Sequence, residues 1–512
     1  MSSSASGVQS AHPYDTQPEP LHDTAPVTRA TLAAASVLGL FALVLGLFFG
    51  PQHQQLGYAV GGDVDLANRI RELPGGGDGY RSLAAAEVTA EAITWAGIGY
   101  LGDLPAGAAP GPNTPFELGS ITKTFTGSLF ADAIERGEVS AQDALERHIP
   151  ELAGTAAGRV TLASLAQHTS GLPPLGATAA GAALPTLIFN DNPYAETDVG
   201  ALVQDAAEAS VTPEQGLVYS NFGVSLLGEA LVRASASGDY PSLVRERITE
   251  PLGMANTVFA ANESDVPDGA LSGHHPNGLP APRWVGSGYL PAGSSTFTTI
   301  ADLAKWAQAQ INGTAPGRAA LNPTTEWEEG LSIGWGWLTS EVPGEPTVTW
   351  HNGQTAGFSS ILRIDLQAGT ALVMLGNSTT DVELLAEELV TGERFDRMST
   401  AEAIIFWTMA VIGMGLTVVA MHRAIRAKSL LPIVADLVWA VFGLALMWHS
   451  GPWMQVGSWL WAIPVAITAA AAAVGVCRVA SGLPLLPAKQ AWASWLSVVL
   501  ALLTSAFVVA MF

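Results

Sequence analysis

Twenty consecutive residues without a charge, Ala30 to Phe49, set the first limit on what this chain can fold into. A helix of that length, at about 1.5 Å per residue, crosses the hydrocarbon of a bilayer. Four more apolar stretches follow residue 400, near 402–421, 430–448, 458–477 and 491–512, with short polar loops between them. Any water-soluble domain therefore has to fit between the first stretch and the last four.

The first stretch reads as an uncleaved anchor. A secretory signal has a basic leader, a shorter apolar run and a small-residue cleavage site. Here the leader holds Asp15, Glu19 and Asp23 against the single Arg29, and no A-x-A follows Phe49. Arg423, Arg426 and Lys428 fill one loop and Arg478 and Lys489 flank another, while the loop HSGPWMQVGS between them has no basic residue. Basic loops stay in the cytoplasm. The expected topology puts residues 50–400 and the C-terminus outside and the N-terminal tail inside, at the cell membrane.

The formal net charge of −23 sits almost entirely between the anchor and the later spans. It argues against nucleic acid and against docking on anionic lipid, and fits solubility. The single cysteine, Cys477, falls at the end of an apolar stretch, so no disulfide is available to the large domain. No Cys and His cluster has metal-ligand spacing, and neither a metal nor a cofactor is expected.

Residues 1–29, rich in Ser, Pro, Asp and Gln, cannot bury enough surface to order themselves. The glycine-rich LPGGGDGYRS reads as part of a flexible stem over 50–79, and a globular domain is expected over 80–395. Its first strand is expected in AEVTAEAITWAGIGYLGD, and ITKTFTGSLFADAIERGE has helical spacing ending at Gly137. The middle is helical and loop-rich. EPTVTWHNG, SSILRIDL and TALVMLGNS read as strands, and DVELLAEELVTGE as a helix.

Three short motifs carry chemistry. In a chain with four lysines, Lys123 stands three residues after Ser120, so on a helix the ammonium lies against the hydroxyl. The helix N-terminus adds free N–H groups and a positive dipole end. Tyr219-Ser220-Asn221 precedes another helical run; a phenol and an amide two apart can serve proton transfer and substrate positioning. His351-Asn352-Gly353 opens a strand, where glycine lets a substrate lie along the edge and the first side chain can face an anion or oxyanion. The same tripeptide pattern at His449-Ser450-Gly451, between two spans, is set aside.

In order and surroundings these motifs resemble the serine β-lactamase and penicillin-binding-protein family, especially its class C-like branch of esterases and D-amino-acid peptidases. FELGSITKTFTG, TLASLAQHTSGLP, VYSNFGVSLLGEAL, PLGMANTVF, PAGSSTFTTIADLAKW and HNGQTAGFSSILRID carry the resemblance over roughly 80–395. It implies an α/β (α+β) fold of the β-lactamase/DD-peptidase type, an antiparallel sheet flanked by helices plus a helical domain. It also implies that Ser120 is acylated, that Lys123 and Tyr219 share its proton, and that Asn221 holds the substrate amide or ester. The N–H groups of Ser120 and Gln354 would form the oxyanion hole, with Gly353 giving access. His168 and Ser170 would be structural. Penicillin-active relatives usually carry Lys where this chain has His351, which weakens the case for β-lactam hydrolysis and favours a peptide, amide or ester substrate, peptidoglycan among them.

A second reading stays open: a module that binds a wall fragment or β-lactam and passes the signal to the spans. Against it, Asp436 is the only acid placed to sit within the bilayer, and its position near the interface lets it pair with Arg426 or Lys428. The many span tryptophans fit interfacial anchoring.

Overall fold

The structure, a computed structural model, describes residues 25–509 apart from 53–55, 74–75, 103–106, 213–215, 396–397, 454 and 487–490. The described strands are β1 (Val60–Gly62), β2 (Ser82–Thr89), β3 (Ile93–Gly99), β4 (Phe116–Glu117), β5 (Val258–Phe259), β6 (Thr296–Thr298), β7 (Thr325–Glu328), β8 (Leu331–Ile333), β9 (Leu338–Ser340), β10 (Val348–Gln354), β11 (Ser359–Asp365) and β12 (Thr370–Gly376). Nine of them form one antiparallel sheet in the order β1-β3-β2-β12-β11-β10-β9-β8-β7, and β4-β6-β5 form a small second sheet. Strands from the two ends of the domain meet where β2 pairs with β12.

Strand β2 explains how the sheet is covered. Leu83 and Ala85 enter a core with Leu66, Ile70 and Leu385, whereas Ala84, Ala86 and Val88 enter a larger one with Phe125, Leu129 and Trp306. Side chains alternate between faces, so a strand buried on both loses its polar–apolar alternation. Its alanines leave room for the helix Ile300–Ile311 to pack close on one face.

Two expectations are corrected. The segment expected as one strand is a hairpin of β2 and β3, turning at Ala90, Glu91 and Ala92. No Gly or Pro announces that turn, because the Thr89 hydroxyl accepts from the N–H of Glu91 at 3.3 Å and of Ala92 at 3.0 Å. The stretch expected as a flexible stem carries β1, paired with β3, and the helix Val64–Glu72. That helix is capped by Asp63, which accepts from Leu66 N–H at 2.7 Å, and it buries Leu66, Ala67 and Ile70. The neighbouring glycine run masked this short amphipathic signal.

Four helices among the described residues are long and apolar enough to cross a membrane: Arg29–Phe49, Thr400–Arg426, Leu430–Ser450 and Trp459–Ala480. The fifth expected span falls on the helix Ala491–Val509, and residues 510–512 lie outside the described residues. Arg423 and Arg426, expected in a loop, occupy the last turn of their helix, where cations favour the dipole. Asp436 pairs with Arg423 at 2.8 Å rather than with Arg426 or Lys428. Of the tail expected to be unstructured, residues 1–24 lie outside the described residues, and Ala25 is buried against the bundle.

Small residues bring the first helix onto the Trp459–Ala480 helix: a Cβ on Gly46 would stand 3.0 Å from Ala462, and one on Gly39 3.2 Å from the Ala466 carbonyl. Arg478, 2% exposed, locks the far end of this bundle. Its guanidinium donates to the carbonyls of Ala25 at 3.0 Å, Ala424 at 2.7 Å and Ala427 at 2.7 Å. Arg478→Met should lose these charge-assisted bonds and lower the thermal midpoint of the detergent-solubilised chain, by an amount corresponding to about 3 kcal/mol. Arg478→Lys, with fewer donors, should fall between; an unchanged midpoint for Arg478→Met would contradict the locking role.

Candidate active site

The helix that carries Ser120 and Lys123 begins as a single 3-10 turn, Gly119–Ile121, and continues as Thr122–Glu135. Ser120 thus sits in the first turn, with its N–H outside the helical ladder. The Ser360 hydroxyl on β11 donates to the Leu118 carbonyl at 2.7 Å and pins this turn against the sheet. Glycine is required where the two backbones meet. Gly119 has φ +64°, and a Cβ there would lie 2.7 Å from Gln354 N; one on Gly353 would lie 2.2 Å from Leu118 O and 3.1 Å from Ser120 N. The N–H groups of Ser120 and Gln354 are thereby brought side by side, as an oxyanion pocket needs.

Lys123 Nζ is 2.9 Å from Ser120 Oγ and donates to the Ala292 carbonyl at 2.6 Å. It is 1% exposed, and 4.8 Å from the centre of the Tyr219 ring. Among the described residues it makes no ion pair with a carboxylate. Burial therefore drives its pKa well below the ordinary lysine value. In its deprotonated form the amine has a lone pair that can take the Ser120 proton, while an N–H still serves Ala292. Burial also raises the Tyr219 phenol, and the adjacent Ser120 hydroxyl acts in the opposite sense. Tyr219 is a proton donor here, not a phenolate.

The Tyr219-Ser220-Asn221 segment is held from the HTSGLP loop. His168, at φ +60°, accepts from the Ser220 N–H on Nδ1 at 3.1 Å and packs on the Tyr219 ring at 4.5 Å. Ser220 caps the helix Asn221–Ser235, accepting from Gly223 N–H at 2.9 Å and donating to the Pro173 carbonyl at 2.6 Å. Ser170 accepts from the N–H of Leu172. Asn221 Oδ1 is buried without a hydrogen-bond partner, and its side chain lies beside the Tyr194 phenol.

Along β10 the alternation turns His351 and Gly353 inward and Asn352 and Gln354 outward. His351 Nδ1 lies 2.6 Å from the Asn352 carbonyl, so that nitrogen carries the proton of the neutral ring. Burial, and then the proximity of Lys123, depress its pKa to about 3. The ring is uncharged at neutral pH. Asn352 turns away and donates to Glu383 at 2.7 Å.

The structure brings Ser120, Lys123, Tyr219, Asn221, His351, Gly353 and Gln354 into one place. Sequence reasoning missed four contributors. The Ala292 carbonyl comes from the PAGSS run, and Trp327 on β7 approaches both His168 and Tyr219. Tyr194 is the third. The fourth, Glu117, three residues before Ser120, is 1% exposed beside Thr355. Burial pushes its carboxyl up to about 7, against the opposing effects of Thr355, Arg283 and the Trp284 backbone. Only the placement of an acid inside an apolar strand, FEL, hinted at it.

A carboxyl whose folded pKa is raised is most stable protonated, and that contribution is lost as pH rises from its ordinary value near 4.5 through about 7. The cost of ionising it in place is about 3 kcal/mol. Glu117→Gln should therefore gain thermal stability relative to the parent at pH 8 but not at pH 4.5. Parallel pH profiles of the two melting points would contradict this.

The Beta-lactamase family model matches residues 66–391. Among curated proteins the chain is 29% identical over 244 residues to the Beta-lactamase of Escherichia coli strain K12, covering 46% of this chain and 59% of that one. It is 23% identical over 326 residues to Protein flp of Staphylococcus aureus strain MW2, covering 59% and 62%. The chain thus spans about half to three fifths of the length of such relatives. A solved class C beta lactamase from Rhodobacter sphaeroides shares the fold at TM-score 0.51 and 20% identity, over 61% of this chain and 95% of that one. Together with the antiparallel sheet and its helical partner layer, the match places the chain in the Beta-lactamase family.

Proposed function

We propose that the chain is a membrane-bound serine hydrolase that forms an acyl-enzyme on Ser120, with the domain over 80–395 held outside the cytoplasm. The observation that carries the reading is the 2.9 Å approach of a buried Lys123 amine, its pKa depressed by burial, to the Ser120 hydroxyl. Lys123 takes the proton from Ser120 Oγ as the oxygen bonds to the substrate carbonyl carbon. The oxyanion rests on the N–H groups of Ser120 and Gln354. The bond to the leaving alcohol or amine then breaks, and that group takes a proton from Lys123 through the Tyr219 hydroxyl. Water, activated by the same amine, releases the acid. Asn221, with a buried unpaired carbonyl oxygen, is the group that orients the substrate.

The neutral His351 supports an ester, amide or D-amino-acid peptide substrate over an anionic β-lactam, because a fixed positive charge is missing where a substrate carboxylate would be met. The orientation is supported by the two ends of the bundle. Arg423, Arg426 and Arg478 cluster at one end, while the large domain touches the other: Asn277 Nδ2 donates to the His449 carbonyl at 3.1 Å and Gln455 to Thr380 at 3.4 Å.

A fluorophosphonate should add one adduct mass to the full-length chain, and Ser120→Ala should abolish it. Lys123→Met should also lose acylation, yet its melting point should hold or rise, since a buried lysine with a depressed pKa costs stability at every pH below its ordinary value. Retained acylation in Lys123→Met would place the base elsewhere. His351→Lys should raise acylation by penicillin relative to a neutral ester; an unchanged ratio would remove His351 from substrate choice. External protease on intact cells should cut within 50–400 and spare the 423–428 segment, and protection of the large domain would refute the orientation.

A further inference from the structure

A cavity of about 520 Å³ opens between the site and the membrane part of the chain. Its wall includes Tyr194, which lies beside Asn221, and Ala356, two residues beyond Gln354. On the opposite side it is closed by Leu279 and by His449, at the end of the spanning helix Leu430–Ser450. The same His449 opens the tripeptide His449-Ser450-Gly451. Apolar side chains make up most of the wall beside Asn190, Asp191, His275 and Asn277, and among the described residues no Lys or Arg lines it. Its volume falls in the usual range for ligand sites, roughly 300–1,000 Å³.

The depth of this cavity is set by its neighbours. Trp448 and Trp461 pack at 4.9 Å and Trp453 is buried beside them, at the domain-facing end of the bundle. Tryptophans gather at the headgroup level of a bilayer. The cavity therefore lies between Tyr194 and Ala356, neighbours of the site, and the end of a spanning helix at the level where acyl chains meet water. A hydrocarbon chain would exchange lipid for the apolar part of this wall, Leu175, Leu279, Pro282 and Trp284 among it.

We propose that the site draws its substrate from the bilayer: an ester or amide whose acyl chain lies in the cavity against Leu279 and Tyr194, while its carbonyl reaches Ser120. This rests on the serine-hydrolase reading above and specifies its substrate class. The acyl chain stays on Ser120 after the alcohol or amine departs, and water then releases a fatty acid. An uncharged His351 suits such a neutral carbonyl. The membrane helices would then do more than tether, because one of them supplies a wall of the binding site.

The test uses the full-length chain in lipid nanodiscs with p-nitrophenyl esters from acetate to decanoate. Each enclosed methylene favours binding by roughly fourfold, so kcat/KM should climb at least about tenfold from butyrate to octanoate. Ala183→Trp and Thr186→Trp, which fill the cavity from the helix Ala177–Phe189, should each lower the octanoate-to-butyrate ratio at least about fivefold. The fluorophosphonate adduct on Ser120 should remain. A flat or falling profile with the adduct intact would overturn the lipid assignment and leave the hydrolase reading standing. A ratio unmoved by both tryptophans would also overturn it. Absence of both adduct and turnover would overturn the two readings together.

Discussion

The burial of a single amine organises this site. Lys123 has been taken out of water with one carbonyl and one hydroxyl as its polar company, and among the described residues no carboxylate compensates it. In such surroundings the ammonium form is disfavoured relative to that of an exposed lysine. The helix turn fixes the i and i+3 spacing, but only the enclosing layers turn that spacing into a base. The PAGSS segment supplies the carbonyl, Tyr219 supplies the ring, and the sheet closes the remaining side. The depressed pKa of His351 follows partly from the same enclosure.

That enclosure depends on backbones meeting without side chains between them. Gly119 and Gly353 allow the first helical turn to lie against β10, which sets two N–H groups beside one another. β10 is held in register by β11, and β11 by β12, which pairs in turn with β2 from the start of the domain. The hydrogen-bonding edge that a substrate would meet is thus anchored through strands drawn from both ends of the domain sequence. The end of the helix Leu430–Ser450 at His449, and Gln455 in the loop that follows, add further contacts from the apolar helices.

Much of this was legible because its signals are local. Ser120 and Lys123 are a helix-spacing pattern, the three C-terminal strands are bounded by turn residues, and the spans are long uncharged runs. What escaped had its cause far away in sequence or in a side chain acting as backbone. The Ala90–Ala92 turn is made by a threonine hydroxyl, and β1 with the helix Val64–Glu72 is a short piece held by its Asp63 cap and by packing on β3 and its core. Glu117 has its proton affinity raised by burial and only opposed by residues near 283 and 355, an enclosure that no local pattern announces. His449 entered a cavity wall through the placement of a whole helix.

The central claim is that Lys123, its pKa depressed by burial, acts as the base for Ser120. It is tested most directly by the pH dependence of the second-order rate of Ser120 acylation by a neutral fluorophosphonate. The account predicts a rate that levels off well below about pH 10, the region where an ordinary lysine titrates. A rate rising tenfold per unit until about pH 10, as for an ordinary lysine, would contradict it.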